Sequence, residues 1–209
     1  MKISVRPSKY NRDFIRQEFA PTFRNCMEAF FILTALFAVL VVLQPETAVW
    51  YVEYFNTLLE ELGVNESEFS SFETFTLLFS NNLSATASCA VSGFFPFIFY
   101  PALTLGLNTF SLVAIGSEWM RGGYTLLSFL AGILPHGIFE IPALMYSCAI
   151  GLCHCKLVTR AILKKPQAAP WREQVVSLSI VFVTIVVPLL LVAALIEAFV
   201  TPKLMGLCI

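Results

Sequence analysis

The feature that most constrains this chain is a series of long apolar blocks, at about residues 27–43, 72–92, 96–116, 124–155 and 175–200. A helix needs about 20 apolar residues to cross a hydrocarbon core about 30 Å thick. The apolar residues here fall in blocks of that length rather than in amphipathic stripes. Composition points the same way, with 57% hydrophobic and only 13% charged residues in 209, against about 25% charged in soluble domains. Mean hydropathy is +0.77. The chain reads as an all-α polytopic membrane protein.

Charge then orients it. Lys2, Arg6, Lys9, Arg12, Arg16 and Arg24 precede the first block, and Lys156, Arg160, Lys164, Lys165 and Arg172 lie before the last. Only Arg121 and Lys203 lie elsewhere. Basic residues favour the cytoplasmic side, so both segments belong there. Residues 1–26 read as a basic cytoplasmic arm, and 27–205 as a single transmembrane domain. The arm is longer than a signal peptide's start, and Gln44-Pro45-Glu46 offers no small-residue cleavage site. The first block is therefore expected to be a retained anchor.

Residues 45–71 lack Lys and Arg and gather acids from Glu46 to Glu68, which permits an extracytoplasmic loop. Val49, Val52, Leu59 and Leu62 recur there at helical spacing beside Trp50, Tyr51, Tyr54 and Phe55. That pattern suits an amphipathic helix at the membrane surface. Asn65-Glu66-Ser67 fits a glycosylation acceptor, a match too short to carry weight. The second block contains an unbroken run of small residues, Ser84-Ala85-Thr86-Ala87-Ser88-Cys89-Ala90. Small side chains let helix backbones approach closely in lipid. This is a packing face.

Residues 124–155 decide the count. A 32-residue helix is about 48 Å long, too long for one upright crossing and too short for two. Pro135, Gly137 and Pro142 interrupt the stretch, so the reading is one span preceded by a re-entrant or broken half-helix at 135–137. One crossing there also keeps both basic segments on one side. The expectation is about five transmembrane helices in the cell membrane, amino terminus cytoplasmic and carboxyl terminus extracytoplasmic.

Ionisable side chains inside a bilayer are costly and mark function or specific pairing. Glu28 sits in a first turn beside the basic arm and is interfacial. His136 and Glu140 lie four residues apart, on one helical face. A break at 135–137 would free backbone N–H groups there, suited to an anion or a carboxylate. Counting depth at about 1.5 Å per residue brings Asn82, Asn108 and His136 to mid-membrane or its outer half, and Glu197 near the outer edge. Three readings of this polar cluster stand side by side. It is a structural hydrogen-bonded network; or a site where His136, Glu140 and Glu197 hold zinc or a harder divalent ion; or a proton or ion relay. Cys153-His154-Cys155 chelates poorly, because neighbours on a helix point about a hundred degrees apart. No phosphate loop, nucleophile signature or nucleic-acid module is present.

Together these segments resemble the stage II sporulation protein M family. The resemblance rests on Asn81-Asn82 with the small residues after it, Asn108, Pro135-His136-Gly137 with Glu140-Ile141-Pro142-Ala143, and Ile196-Glu197-Ala198-Phe199-Val200-Thr201-Pro202. It covers roughly residues 15–205. It implies a five-span membrane fold, and a site at the positions Asn82, Asn108, His136, Glu140 and Glu197. The family's sporulation member acts with peptidoglycan-degrading partners during engulfment, as a membrane scaffold. The expected function is thus a scaffold or assembly component of a cell-envelope machine. Its partners would be the lipid bilayer, envelope or peptidoglycan-remodelling proteins and a second copy, a dimer being favoured. The alternatives are a membrane-embedded metal-dependent hydrolase using His136, Glu140 and Glu197, and a small-solute or proton-coupled transporter.

Overall fold

The computed structural model of the protein describes residues 10–61 and 70–208. Lys2, Arg6, Lys9, Leu62 and the Asn65-Glu66-Ser67 acceptor lie outside the described residues, among which every regular element is helical. Helix α1 is Arg12–Leu43, with a π turn at Ile15–Phe19. It begins well before the first apolar block. The reason is local: the Asn11 side chain accepts from the Phe14 backbone N–H and so caps it, while Phe14 and Phe19 are buried. The second half of the basic arm is thus the opening of α1.

Helix α2 is Glu46–Glu61 and α3 is Ser71–Ser92, opened by a reciprocal capping box between Ser70 and Glu73. A 3₁₀ turn at Pro96–Ile98 leads through Phe99, held at φ 50°, into α4, Tyr100–Arg121. Gly123, at φ 89°, permits the tight turn into α5, Leu126–Ile162. The Thr125 hydroxyl caps α5, and Trp119 Nε1 donates to Ser128 Oγ at 3.0 Å across that turn. Helix α6 comprises Trp171–Val181, a π turn at Phe182–Val186, and Val187–Phe199. Helix α7 is Thr201–Cys208.

Four of these helical stretches are long and apolar enough to cross a membrane: Arg12–Leu43, Pro96–Arg121, Leu126–Ile162 and Trp171–Gly206. Helix α3 has the length, at 22 residues, but Asn81, Asn82 and its Ser and Thr residues keep it below that apolarity.

The expected break at Pro135 and Gly137 does not occur. Helix α5 runs unbroken for 37 residues with Pro135 and Pro142 inside it, a length of about 55 Å. A proline costs a water-exposed helix about 3 kcal/mol or more. In lipid an unwound segment would leave several backbone groups without partners, each at a similar cost, so the helix persists. What the prolines release are the carbonyls of the residues four earlier, Ala131 and Ile138, not N–H donors.

Contacts between elements set the directions. Arg160 of α5 pairs with Glu18 of α1 at 3.0 Å, and Lys156 donates to Thr22 at 2.7 Å. Asn11 meets Glu173 and Ser177 at the start of α6. Cys89 of α3 faces Cys148 of α5, and a Cβ on Gly151 would meet Pro101 of α4. So α1, α4 and α6 run one way, and α3 and α5 run the other. Helix α5 sits at the centre, packed against α1, α3, α4, α6 and α7. Basic residues collect at the end holding the start of α1 and the finish of α5. Helix α2 lies at the opposite end, where Ala48 is buried with Val41 and Ala114, and Tyr51 meets Phe110 edge to face. Its Trp50 and Tyr54 rings are exposed and stacked on each other.

Candidate functional site

At the end of the bundle opposite the basic residues, His136, Glu140 and Glu197 converge, one ligand atom from each lying within 4.8 Å of the others. All three side chains are half-buried. His136 and Glu140 come from successive turns of α5, as their spacing demands. Glu197 arrives from the antiparallel α6. The approach is a ladder with one rung per turn, since Glu197 faces the Glu140 turn, Thr201 reaches His136, and Met205 lies over Gly132. A Cβ on Gly132 would lie 2.9 Å from Met205 Sδ, so the methionine of α7 packs directly over the start of α5.

Thr201 is the residue that sequence reasoning passed over. Its Oγ1 lies 3.5 Å from His136 Nδ1 and 3.4 Å from the Ile196 carbonyl. A hydroxyl has one proton. With that proton on the Ile196 carbonyl, Oγ1 accepts from His136 Nδ1–H, which leaves the Nε2 lone pair available as a ligand. Thr201 stands in the terminal segment 196–202 with no partner at helical spacing, so its contact with His136 emerges only once α7 is placed.

The chemistry of the pocket differs from the anion site expected of a broken helix. No N–H groups are released, and two carboxylates with an imidazole make an acceptor-rich site. Two ionised carboxylates this close require a positive charge between them, whether a proton, an imidazolium or a metal ion. A tetrahedral ion bound at about 2.0–2.1 Å spaces its ligands about 3.3 Å apart. Separations of up to 4.8 Å close to that by side-chain rotation. One nitrogen and two carboxylate oxygens suit zinc, with a fourth position for water.

The side-chain ligand atoms that converge are those of His136, Glu140 and Glu197, and the asparagines have contacts of their own. Asn108 is exposed and its amide donates to the Thr104 carbonyl of its own helix at 2.8 Å. Asn82 is half-buried on α3, its carbonyl taken by the Thr86 hydroxyl at 2.7 Å. Counting seven residues back from the Cys89–Cys148 contact sets Asn82 level with Ile141, next to Glu140 along α5. Cys153, His154 and Cys155 do not converge either. His154 Nδ1 donates to the Ala90 carbonyl at 2.8 Å and its ring stacks on Phe94 at 4.1 Å. Cys153 is buried and Cys155 is half-exposed. The Cys89–Cys148 approach, 3.6 Å between sulfurs, joins residues 59 apart and has no sequence signal.

No characterised protein and no solved structure matches the chain. The family described as stage II sporulation protein M matches residues 27–202, which include all of the triad and the helices that carry it. On that match the chain belongs to the stage II sporulation protein M family.

Proposed function

We propose that this protein is a self-associating scaffold of a cell-envelope machine, spanning the cytoplasmic membrane five times with its basic end inside and its carboxyl end outside. The observation that carries the reading is the outer face of α3. Thr86, Cys89 and Ala90 turn into the bundle, while Asn81, Ser84, Ala85 and Ser88 are exposed on the other side. A stripe of small and polar residues gains nothing from lipid tails, but it lets a second helix approach closely and accept hydrogen bonds. A second copy of α3 fits it. The family's name adds the link to sporulation, and envelope proteins are the natural clients of such a scaffold.

In mild detergent the protein is expected to elute as a dimer, and Ser88→Cys to form an intermolecular disulfide. Ser84→Leu with Ser88→Leu should weaken the dimer by about tenfold, the effect of the 1–2 kcal/mol attributed to polar contacts between membrane helices. A strictly monomeric wild type with no co-purifying envelope protein overturns the reading.

A second observation, the triad, favours a structural role for a divalent cation within that scaffold. Zinc on His136, Glu140 and Glu197 would tie α6 to α5 and neutralise the paired carboxylates. Purified protein equilibrated with micromolar zinc and then desalted should retain close to one equivalent, and His136→Ala or Glu140→Gln should retain little. Equal, near-zero metal in all three ends the cation reading and leaves the scaffold reading untouched.

A further inference from the structure

A second site lies at the other end of the bundle, some 20 residues along α5 from the triad. A cleft of about 760 Å³ opens between α1, α4 and α5, beside the turn that leads into α4. That volume falls within the range of about 300–1,000 Å³ typical of small-ligand sites. Its walls carry a polarity gradient. On α5 the lining passes from Cys148 and Leu152 to Lys156 and Arg160; on α1 it passes from Ala29 and Cys26 to Asn25 and Thr22. The gradients on the two antiparallel helices are in register, because Lys156 and Thr22 are hydrogen-bonded at 2.7 Å. The floor is therefore apolar and the rim basic, the deep part being towards the bundle centre. Lys165 adds a third cation at the rim, and Phe97 and Phe99, which are 81% and 70% exposed, stand at the mouth. One carboxylate, Glu18, pairs with Arg160 at 3.0 Å. Three cations against one anion leave an excess of two positive charges.

We propose that this cleft binds one anionic glycerophospholipid from the leaflet facing the basic end, its phosphate at Lys156, Arg160 and Lys165 and an acyl chain along the floor. A soluble anion would use the rim and leave the floor wet. An apolar peptide would use the floor and leave the cations unmatched. A phospholipid has the order of the walls, charged head outward and chain inward, and basic pockets between membrane helices hold anionic headgroups. The exposed Phe97 and Phe99 rings sit where an aromatic belt meets the headgroups. The site does not depend on the triad or on self-association.

Native mass spectrometry of the full chain in mixed micelles tests this, with equal phosphatidylglycerol and phosphatidylcholine as probes. Wild type should retain phosphatidylglycerol about tenfold over phosphatidylcholine. Lys156→Gln with Lys165→Gln should remove that preference by about tenfold, and Ala102→Phe, which puts a ring into the cleft from its α4 wall but keeps every charge, should reduce retention as much. Ala102→Phe also covers the case in which loss of the Lys156–Thr22 bond disturbs folding. Undiminished phosphatidylglycerol retention in both variants overturns the proposal. Loss in the lysine variant alone reduces the site to surface charge, and displacement by millimolar inorganic phosphate reduces it to an ion site; either result also overturns it.

Discussion

Gly151 marks the tightest point of the bundle. A Cβ added there would lie 2.5 Å from the Cys89 carbonyl oxygen and 2.7 Å from Pro101 Cγ, and one on Gly93 would collide with the Gly151 backbone. Two of those neighbours are backbone and cannot rotate aside, so the end of α3 and α5 meet here backbone to backbone, with the Pro101 ring of α4 against them. Gly151→Ala should therefore cost about 1–3 kcal/mol, the usual penalty for overpacking, and lower the melting temperature in detergent. Gly106, in the middle of α4, is the contrast, since a Cβ there meets nothing within 4 Å. Gly106→Ala should raise stability by about 0.5–1 kcal/mol through helix propensity. Equal melting temperatures for the two variants would refute the crossing. The run of small residues at 84–90 announces close packing in the sequence, but its partner does not. Gly151 lies in an unremarkable apolar stretch, and which helix it meets depends on tertiary arrangement alone.

Helix α5 shows how an element can be read correctly on one face and wrongly along its axis. The four-residue spacing of His136 and Glu140 fixes a shared face whatever the backbone does elsewhere, so two of the three triad residues are legible as a pair, with Glu197 a third candidate by depth. The break is not, because proline's penalty in water does not carry over to a helix whose alternative is unpaired backbone in lipid. Whether Glu197 reaches that pair depends on the antiparallel ladder of α5 with α6 and α7, which no spacing encodes. That ladder supports a prediction at its own scale. If Thr201 fixes the His136 ring, then Thr201→Val should weaken zinc binding by about 10–100-fold, as loss of an outer partner to a metal-bound histidine does. Thr201→Ser keeps the hydroxyl and should restore most of the affinity. Both variants should unfold at the wild-type temperature when metal is absent, since the two contacts of Thr201 are long, at 3.4 and 3.5 Å. Identical zinc affinity in wild type and Thr201→Val would leave the hydroxyl without a part in the site.

At the scale of the whole molecule, the decisive point is that α1 and α4 run in the same direction. Both begin at the basic end, since Glu18 and Thr22 of α1 meet Arg160 and Lys156 of α5, and Pro101 of α4 lies against Gly151. Two parallel spans need the chain to return between them. In the proposed five-span arrangement α3, packed against α5 and α6, makes that return. Its exposed stripe of Asn81, Ser84, Ala85 and Ser88 would then meet the proposed second copy rather than lipid tails. Helix α5 then returns to the basic end and α6 leaves it again, which places α7 and the triad at the opposite face. The basic segments gathered at one end give the expectation that this end faces the cytoplasm, because Lys and Arg are sorted by side. An alkaline phosphatase fused after Cys208 should be active outside the cell, and the same enzyme fused after Lys165 should be inactive. A fluorescent protein, which matures in the cytoplasm, should give the reverse pattern. A phosphatase active after Lys165 and inactive after Cys208 would mean that α3 does not cross. The parallel order of α1 and α4 could not then exist in a bilayer, and the triad would lose its outward face.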